Sequence, residues 1–388
     1  MKSSYKPIGD FIRLVDERNT GLKVQTLLGL SIAKEFIPSV ANIVGSDMDN
    51  YKIIRKNQFA CSLMQVRRDK KMPVALLKEI DEAIISQAYP VFKIEDIEKL
   101  LPEYLMMWFS RTEFDREACF YAVGGVRGSL EWEDFCNMQL PVPSIEKQKE
   151  IVKEYSTIVN RIKLNELFNQ KLEETAQAIF KRWFIDFEFP DENGKPYKSS
   201  GGEMEYNSET DGEIPKGWEI STYGKVIDFK TGKLNSNASV TDGKYPFFTC
   251  SNETFKTNTY SFDTEAVLLA GNNASAIYPL KYFAGKFDVY QRTYVLTSKD
   301  KRLSNKQIFY SVKSELENFK GVSSGTATKF LTLTILNDLK IVIANETSGK
   351  LFKKLIDPIF KQKLALEQEL EMLQKLKDLI LSKMTMNS

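Results

Sequence analysis

Side chains that could carry out catalysis are sparse in this sequence of 388 residues. It contains no histidine, which is the usual general base of hydrolases and the commonest metal ligand. Its four cysteines are widely separated and include no CxxC pair, so neither a zinc site nor a disulfide framework is predicted. These cysteines are Cys61, Cys119, Cys136 and Cys250. An independent enzyme is therefore disfavoured, although carboxylates and lysines remain available for chemistry.

Two short segments could be mistaken for catalytic or phosphate-binding motifs. Asp191 and residues 192–195 (Glu-Asn-Gly-Lys) partly match a nuclease Asp...Glu-x-Lys set, but the spacing is wrong and the segment is acidic, which favours a solvated stretch. Residues 124–128 (Gly-Gly-Val-Arg-Gly) are glycine-rich, but no predicted strand precedes them and no Lys-Ser/Thr pair follows. A turn leading into a strand is the better prediction there.

Polar loops that combine glycine, asparagine and serine with basic residues are candidates for contact with a nucleic acid. Lysines neutralise phosphates, whereas asparagine, glutamine and arginine side chains can pair with base edges. The candidates are Arg67, Arg68, Lys70, Lys71 and Arg127 in the first half, and Lys230, Thr231, Lys233, Asn252, Ser324, Thr326 and Lys329 in the second. An ordinary solvated loop remains an open alternative for each. Arg292 has a further alternative, which is to hold its domain together.

The charge distribution allows such contacts, although the net charge is only +2. Residues 186–219 contain ten acidic and three basic residues, which leaves 51 basic and 42 acidic residues in the rest of the chain. Phosphate binding depends on the charge of the contacting face and not on the sum over the chain. The remaining composition is that of a globular protein, with no apolar run near the ~18 residues that span a bilayer and no apolar signal sequence. A cytoplasmic protein is predicted.

The chain repeats one plan twice, in segments that occur in the same order in both halves. The displacement between them is about 200 residues. The matching segments are 5–11 with 218–226, 86–92 with 290–296, 124–130 with 324–330, and 138–142 with 339–343. This order favours an internal duplication.

Each half combines short strands with one long helix. Apolar and aromatic runs at 51–54, 89–94, 245–249, 266–269 and 294–297 are separated by turn residues, which predicts many short strands, and a helical insertion is expected at 96–109. Apolar residues spaced by three and four predict helices at 145–184 and 349–384, each about 60 Å long at most, with a kink near Pro358. The acidic residues 190–215 have little to bury and predict an exposed linker.

The aromatic residues that end the first long helix are candidates for partner docking. Phe180, Trp183 and Phe184 present more apolar surface than a single antiparallel helix could cover. Packing of Trp183 against its own domain is the alternative.

With these features in place, the chain closely resembles the specificity subunit of type I restriction-modification systems over essentially its whole length. The resemblance rests on residues 176–187 (Ala-Gln-Ala-Ile-Phe-Lys-Arg-Trp-Phe-Ile-Asp-Phe) and 212–219 (Gly-Glu-Ile-Pro-Lys-Gly-Trp-Glu), with further similarity at 243–248, 282–287 and 291–297. The first domain matches less well, because residues 86–91 lack a counterpart of Arg292.

The resemblance implies an α/β (α+β) fold in which two similar mixed α/β target-recognition domains are separated by two long antiparallel coiled-coil helices with pseudo-twofold internal symmetry. The expected boundaries are 1–143 and 216–344 for the two recognition domains, 144–187 and 345–388 for the spacer helices, and 188–215 for the acidic linker. Each domain would bind one half of a bipartite, asymmetric double-stranded DNA sequence, with the half-site centres ~34 Å apart.

The resemblance also implies that this chain has no catalytic centre. Two modification subunits that methylate adenine and ATP-driven restriction subunits would dock on it, so S-adenosylmethionine, ATP and magnesium are expected in those partners. The sequence agrees, since it contains neither an Asn/Asp-Pro-Pro-Tyr/Phe motif nor a Gly-x4-Gly-Lys-Ser/Thr loop. The alternative from another class is a scaffold that carries two β-rich domains on a coiled coil and binds only proteins, and the modest net charge suits it. A nuclease acting alone is a weaker third possibility.

Overall fold

The computed structural model describes residues 5–39, 48–124, 128–273, 275–322 and 329–385. Its internal packing divides the chain into two compact units. The first contains the residues up to Glu166 together with those from Glu367 onward, and the second runs from Leu167 to Leu366. No helix in the described ranges is long and apolar enough to cross a membrane.

Short strands dominate the first unit, because runs of β-branched and aromatic residues alternate there with turn residues. The strands are β1 (Tyr5–Pro7), β2 (Ile12–Val15), β3 (Leu28–Leu30), β4 (Phe36–Pro38), β5 (Lys52–Arg55), β6 (Gln58–Cys61), β7 (Val74–Leu76), β8 (Glu82–Ile85), β9 (Val91–Ile94) and β10 (Gln139–Pro141). Four of them form an antiparallel sheet in the order β2–β9–β6–β7. The pairs β1–β10, β3–β4 and β5–β8 are also antiparallel.

Helices cover this sheet and supply the other side of the core. They are α1 (Val66–Asp69), α2 (Pro102–Phe109), α3 (Thr112–Tyr121), α4 (Trp132–Asn137) and the first part of α5 (Ile145–Phe184). Pro102 begins α2, where its missing N–H is not needed and its fixed φ suits the helix. Stacked Phe59 and Phe92 from the sheet meet Phe109 of α2, with ring centroids 5.0 to 6.4 Å apart. All three are buried.

The second unit contains a larger sheet and a longer helix. Its strands are β11 (Met204–Asn207), β12 (Gly212–Pro215), β13 (Glu219–Thr222), β14 (Ile227–Thr231), β15 (Tyr245–Phe248), β16 (Thr254–Thr257), β17 (Phe262–Ala270), β18 (Asn272–Asn273), β19 (Leu280–Val289), β20 (Thr293–Ser298), β21 (Lys329–Phe330) and β22 (Lys340–Ile343). Its helices are the second part of α5, α6 (Tyr223–Val226), α7 (Asn305–Val322), α8 (Leu333–Asp338) and part of α9 (Glu346–Lys383). Six of the described strands form a sheet in the order β14–β20–β17–β19–β15–β16, in which only β15 and β19 are parallel.

The two units share a pairing scheme, which confirms the predicted internal repeat. In the first unit β1 pairs with β10 and β2 pairs with β9, and in the second β13 pairs with β22 and β14 pairs with β20, all antiparallel. A six-residue helix precedes the last strand of each scheme, α4 in one and α8 in the other. The mixed α/β fold with two similar domains is therefore as predicted.

The long helices α5 and α9 contribute residues to both units and lie antiparallel in each. In the first unit Arg161 of α5 donates to the carboxylate of Glu369 of α9 at 2.7 Å, while Ile151 and Leu381 share a core. In the second unit Glu173 of α5 accepts from Lys363 of α9, and Trp183 packs on Phe352 with ring centroids 5.6 Å apart. The antiparallel helix pair is confirmed. Pro358 lies inside α9.

Residues 190–215 are mostly exposed, but they contain regular structure that the sequence analysis does not predict. Strands β11 and β12 form a hairpin there, and Ile214 is buried. Phe189, just before this segment, stacks between Tyr197 and Trp218 with centroid distances of 4.5 and 4.6 Å. Aromatic stacking and the hairpin thus order a segment whose acidic and glycine content alone predicts a linker.

Candidate nucleic-acid interface

Three loops of the second unit meet at the turn formed by residues 290–292. The backbone N–H of Gln291 donates to Leu234 O at 3.0 Å, which attaches the loop after β14. The Sγ of Cys250, in the loop after β15, donates to Arg292 O at 3.3 Å, and Gly271 N, after β17, donates to the same oxygen at 2.8 Å. The turn therefore collects loops that are far apart in sequence.

Gly232 allows the loop after β14 to lie directly on the end of β19. A Cβ at this position would lie 1.7 Å from Val289 O, which no side chain can tolerate. The loop that makes this close contact also carries Lys233, which is exposed. The same loop is hydrogen-bonded to the 290–292 turn through Leu234 O. Asn252 is exposed on the neighbouring loop, next to Ser251, whose Oγ accepts from Glu253 N at 3.1 Å. Two of the predicted contact residues are thus brought to one end of the sheet.

Arg292 and Lys329 add two further cations to this cluster of loops. The Arg292 guanidinium lies 5.2 Å from the ring centroid of Phe330, in the short strand β21. Lys329 lies opposite Asn273 in the β18–β21 pair, and Tyr294 Oη donates to Leu331 O at 2.9 Å. These contacts attach β21 to the same turn. Ser324 and Thr326 lie outside the described residues.

Lys230 and Thr231 lie at the end of β14 and are exposed. The Lys230 ammonium is 3.1 Å from Asp228 Oδ2, so an aspartate partly compensates its charge. Of the three predicted lysines in this unit, Lys233 and Lys329 are on segments attached to the 290–292 turn, whereas Lys230 is paired with Asp228.

Lys281 is a residue of this region that the sequence analysis did not single out. Its Nζ donates to Glu253 O at 2.7 Å and to Thr254 Oγ1 at 3.1 Å, so it supports the loop that carries Asn252. Burial lowers the pKa of Lys281 to about 8, against the opposing effect of the Glu253 carboxylate. Lys281 lies within strand β19, and nothing in the sequence around it indicates that it supports this loop.

The predicted basic residues of the first unit centre on helix α1. Arg67 Nη1 donates to Gly124 O at 3.1 Å, and Arg67 N donates to Gly128 O at 3.3 Å, so both ends of the glycine-rich loop are attached to this helix. Arg68 is paired with Asp69 at 2.7 Å. Lys70 and Lys71 are exposed, and Lys70 has a left-handed backbone (φ 52°).

The glycine-rich loop itself connects two bridged residues. Val123 and Ser129 form an isolated antiparallel bridge around it. The predicted contact residue Arg127 lies outside the described residues. The bridge joins the residues on either side of 125–127, and the turn predicted within them lies outside the described residues.

The aromatic residues at the end of α5 do not form an exposed docking surface. Phe180, Trp183 and Phe184 are all buried, with Trp183 only 3% exposed. Phe180 packs on Tyr310, and Phe184 packs on Trp218 and Phe352, with centroid distances of 4.9 to 5.9 Å. The prediction of an exposed docking surface there is wrong, because α7, α9 and the segment before β13 cover these rings.

The acidic side chains of the described residues do not gather into a metal-binding group. Within the described ranges, no group of three or more cysteine, aspartate or glutamate side chains is placed to hold a metal ion. Asp191 Oδ1 accepts from the backbone N–H groups of Asn193 and Lys195, both at 2.8 Å, so the nuclease-like segment is a carboxylate-capped turn.

Comparison with known proteins gives consistent results for sequence and fold. Residues 44–174 and 215–376 match the family described as the type I restriction modification DNA specificity domain. The chain is 30% identical over 175 residues to the EcoDI specificity subunit of Escherichia coli, which covers 44% of this chain and 38% of that protein. It is 24% identical over 315 residues to the MjaIX specificity subunit of Methanocaldococcus jannaschii, covering 74% and 68% of the two chains. The chain thus spans about two fifths of the E. coli relative in this match.

A solved structure shares the fold. The S subunit of a type I restriction-modification system from M. genitalium superposes with a TM-score of 0.66 at 12% identity, covering 98% of this chain and 95% of that one.

Proposed function

Since the chain belongs to the type I restriction-modification DNA specificity family, we propose that it selects the DNA sequence on which a multisubunit adenine methyltransferase acts. The observation that carries this proposal is the convergence of three loops on residues 290–292, which groups Lys233, Asn252, Arg292 and Lys329 at one end of the second unit. Basic groups beside an exposed amide suit phosphate contact combined with pairing to a base edge.

The two units would bind two different half-sites. The first presents α1 with Arg67, Lys70 and Lys71, whereas the second presents loops that contain Asn252 and Arg292. Similar scaffolds with different contact residues favour a bipartite, asymmetric DNA target. Two antiparallel helices that contribute to both units would fix the gap between the half-sites.

Two methyltransferase subunits, and restriction subunits with them, are the proposed protein partners. Because Phe180, Trp183 and Phe184 are buried, their docking surface needs other residues. Met372, Leu376 and Leu379 of α9 are exposed and recur at spacings of four and three, which places them on one helix face within the first unit. We propose that a methyltransferase subunit covers this face.

Salt-dependent binding tests this function against that of a protein-only scaffold. The assembled complex of this chain with its modification subunits should prefer one duplex sequence over a scrambled one, with affinity that falls steeply as salt rises. Equal binding to both duplexes would contradict DNA selection, and binding that is absent at low salt would favour the scaffold.

A further inference from the structure

A patch of exposed apolar side chains lies where helix α3 ends in the first unit. Phe120 is 78% exposed, and Tyr121 and Val123 are also exposed. The Phe120 and Tyr121 rings contact each other edge to face, with centroids 5.4 Å apart. An aromatic side chain left this open at a helix end is a candidate for contact with a ligand.

Two arginines lie on the elements that carry or contact this patch. Cys119, which precedes Phe120, donates from Sγ to Val66 O at 3.4 Å and so joins α3 to α1. Arg67 is the residue after Val66, and its Nη1 donates to Gly124 O. Arg116 lies one turn before Phe120 on the same face of α3, and its side chain is 74% exposed. The aromatic end of α3 is therefore adjacent to the proposed DNA-contacting helix α1.

The carboxylates of α3 partly compensate nearby cations, including Arg116. Glu113 contacts Arg111 at 3.4 Å and Arg116 at 3.6 Å. Burial raises the pKa of Glu117, with Arg111 opposing that shift. Neither interaction removes the basic character of the surface that Arg67, Lys70 and Lys71 give to this end of the unit.

At a displacement of 200 from Phe120 the second unit has a residue that is not aromatic, and the neighbouring Phe319 is fully buried. Residue 320, at a displacement of 200 from Phe120, is a lysine near the end of α7, and it pairs with Glu317 at 2.6 Å. The aromatic contact is thus a property of the first unit, as expected if the two half-sites are bound differently.

We propose that Phe120 is an aromatic wedge that inserts at one base step of the half-site bound by the first unit, while Arg67 and Arg116 neutralise the adjacent phosphates. An apolar ring placed between cations can unstack a base step, and the bend that results brings more of the duplex onto the protein. Stacking on a ring tolerates any base, so Phe120 would make its half-site sensitive to the deformability of that step. This inference rests on the proposed DNA-binding function.

The test uses the complex of this chain with its modification subunits and a duplex that contains the motif methylated in cells. 2-Aminopurine replaces one base at a time across both half-sites, without S-adenosylmethionine, and its fluorescence reports unstacking. The Phe120→Ala variant should bind the duplex about tenfold or more weakly and lose the fluorescence increase at one step of one half-site only. Phe120→Trp should retain both properties.

A matched control separates this contact from a general loss of surface aromatics. Tyr206 is also largely exposed, on the β11–β12 hairpin of the second unit, and Tyr206→Ala should leave affinity and fluorescence unchanged. Thermal unfolding of Phe120→Ala should match the wild type, because the side chain is exposed.

The other possible outcomes distinguish failure of the wedge from failure of the proposed function. Wild-type fluorescence and affinity in Phe120→Ala would overturn the wedge and leave the proposed function intact. Failure of Phe120→Ala to assemble with the modification subunits would overturn it in favour of a protein contact. Absence of any sequence preference in the wild-type complex would contradict the proposed function itself.

Discussion

The guanidinium of Arg292 lies over the ring of Phe330, 5.2 Å from its centroid, and so joins the 290–292 turn to strand β21. The carbonyl of the same arginine accepts from Gly271 N and Cys250 Sγ. One residue thus contacts three segments of the proposed DNA interface, and this residue is exposed.

Replacing Arg292 with alanine should weaken DNA binding more than it weakens folding. Loss of an exposed cation–π contact costs about 0.5–1 kcal/mol of folding free energy. Arg292→Lys keeps the charge without the planar guanidinium and should recover only part of the affinity. Duplex binding and thermal unfolding of both variants check this, with Lys301→Ala, beyond the opposite end of β20, as the control. Unchanged affinity in Arg292→Ala would contradict a role in the interface.

Glu173 is expected to stabilise the second unit through its ionised carboxylate. It accepts from Lys313 at 2.5 Å, Tyr310 Oη at 3.1 Å and Lys363, which joins α5 to α7 and α9. Glu173→Gln should cost about 2 kcal/mol of unfolding free energy, after allowing for the partial exposure of the group, because it leaves two lysines without their anion. Denaturant unfolding measures this loss. The neighbouring Glu174 is exposed, and Glu174→Gln should leave the unfolding free energy nearly unchanged.

The stability of the second unit should fall in acid because of the same carboxylate. Burial opposes ionisation of Glu173, but hydrogen bonds from Gln177, Lys313 and Lys363 outweigh it and lower the pKa from 4.5 to about 2. The stabilisation is therefore fully present above pH 4.5 and is lost as the pH falls toward 2, because the unfolded chain takes up the proton first. Over this range the unfolding free energy should depend less on pH for Glu173→Gln than for the wild type. The same pH dependence in both proteins would show that Glu173 is not the group that titrates.

DNA affinity should fall in mild alkali through Lys281. Its pKa of about 8 lies below the ordinary 10.5, so its ammonium loses its proton as the pH rises through 8. Over the same range the folded protein becomes more stable, because the unfolded chain still binds that proton. Lys281→Arg stays charged and should remove the pH dependence of duplex binding. Binding titrations on both proteins check this, and identical pH profiles would exclude Lys281.

The sequence predicts the elements better than it predicts what covers them. Apolar residues spaced by three and four identify α5 with the bounds Ile145–Phe184, because that periodicity is local. The same pattern cannot show that Tyr310, Trp218 and Phe352 bury the rings of Phe180 and Phe184, since those contacts join distant segments. The docking surface predicted there was wrong for this reason.

The proposed interface could likewise be predicted only in part from the sequence. Glycine, asparagine and lysine composition identifies the loops that contain Lys233 and Asn252. Their convergence on the 290–292 turn depends on sheet order, in which β20 lies between β14 and β17. Lys281 was missed because its contribution is a long-range hydrogen bond to Glu253 O.

Methylation-sensitive sequencing of cellular DNA tests the central claim most directly. Cells that express this chain with its modification subunit are compared with cells that express the modification subunit alone, after the assembled complex has been verified. DNA selection by this chain predicts a new methylated adenine motif made of two different parts with a fixed gap. Identical methylation maps in the two strains would contradict it.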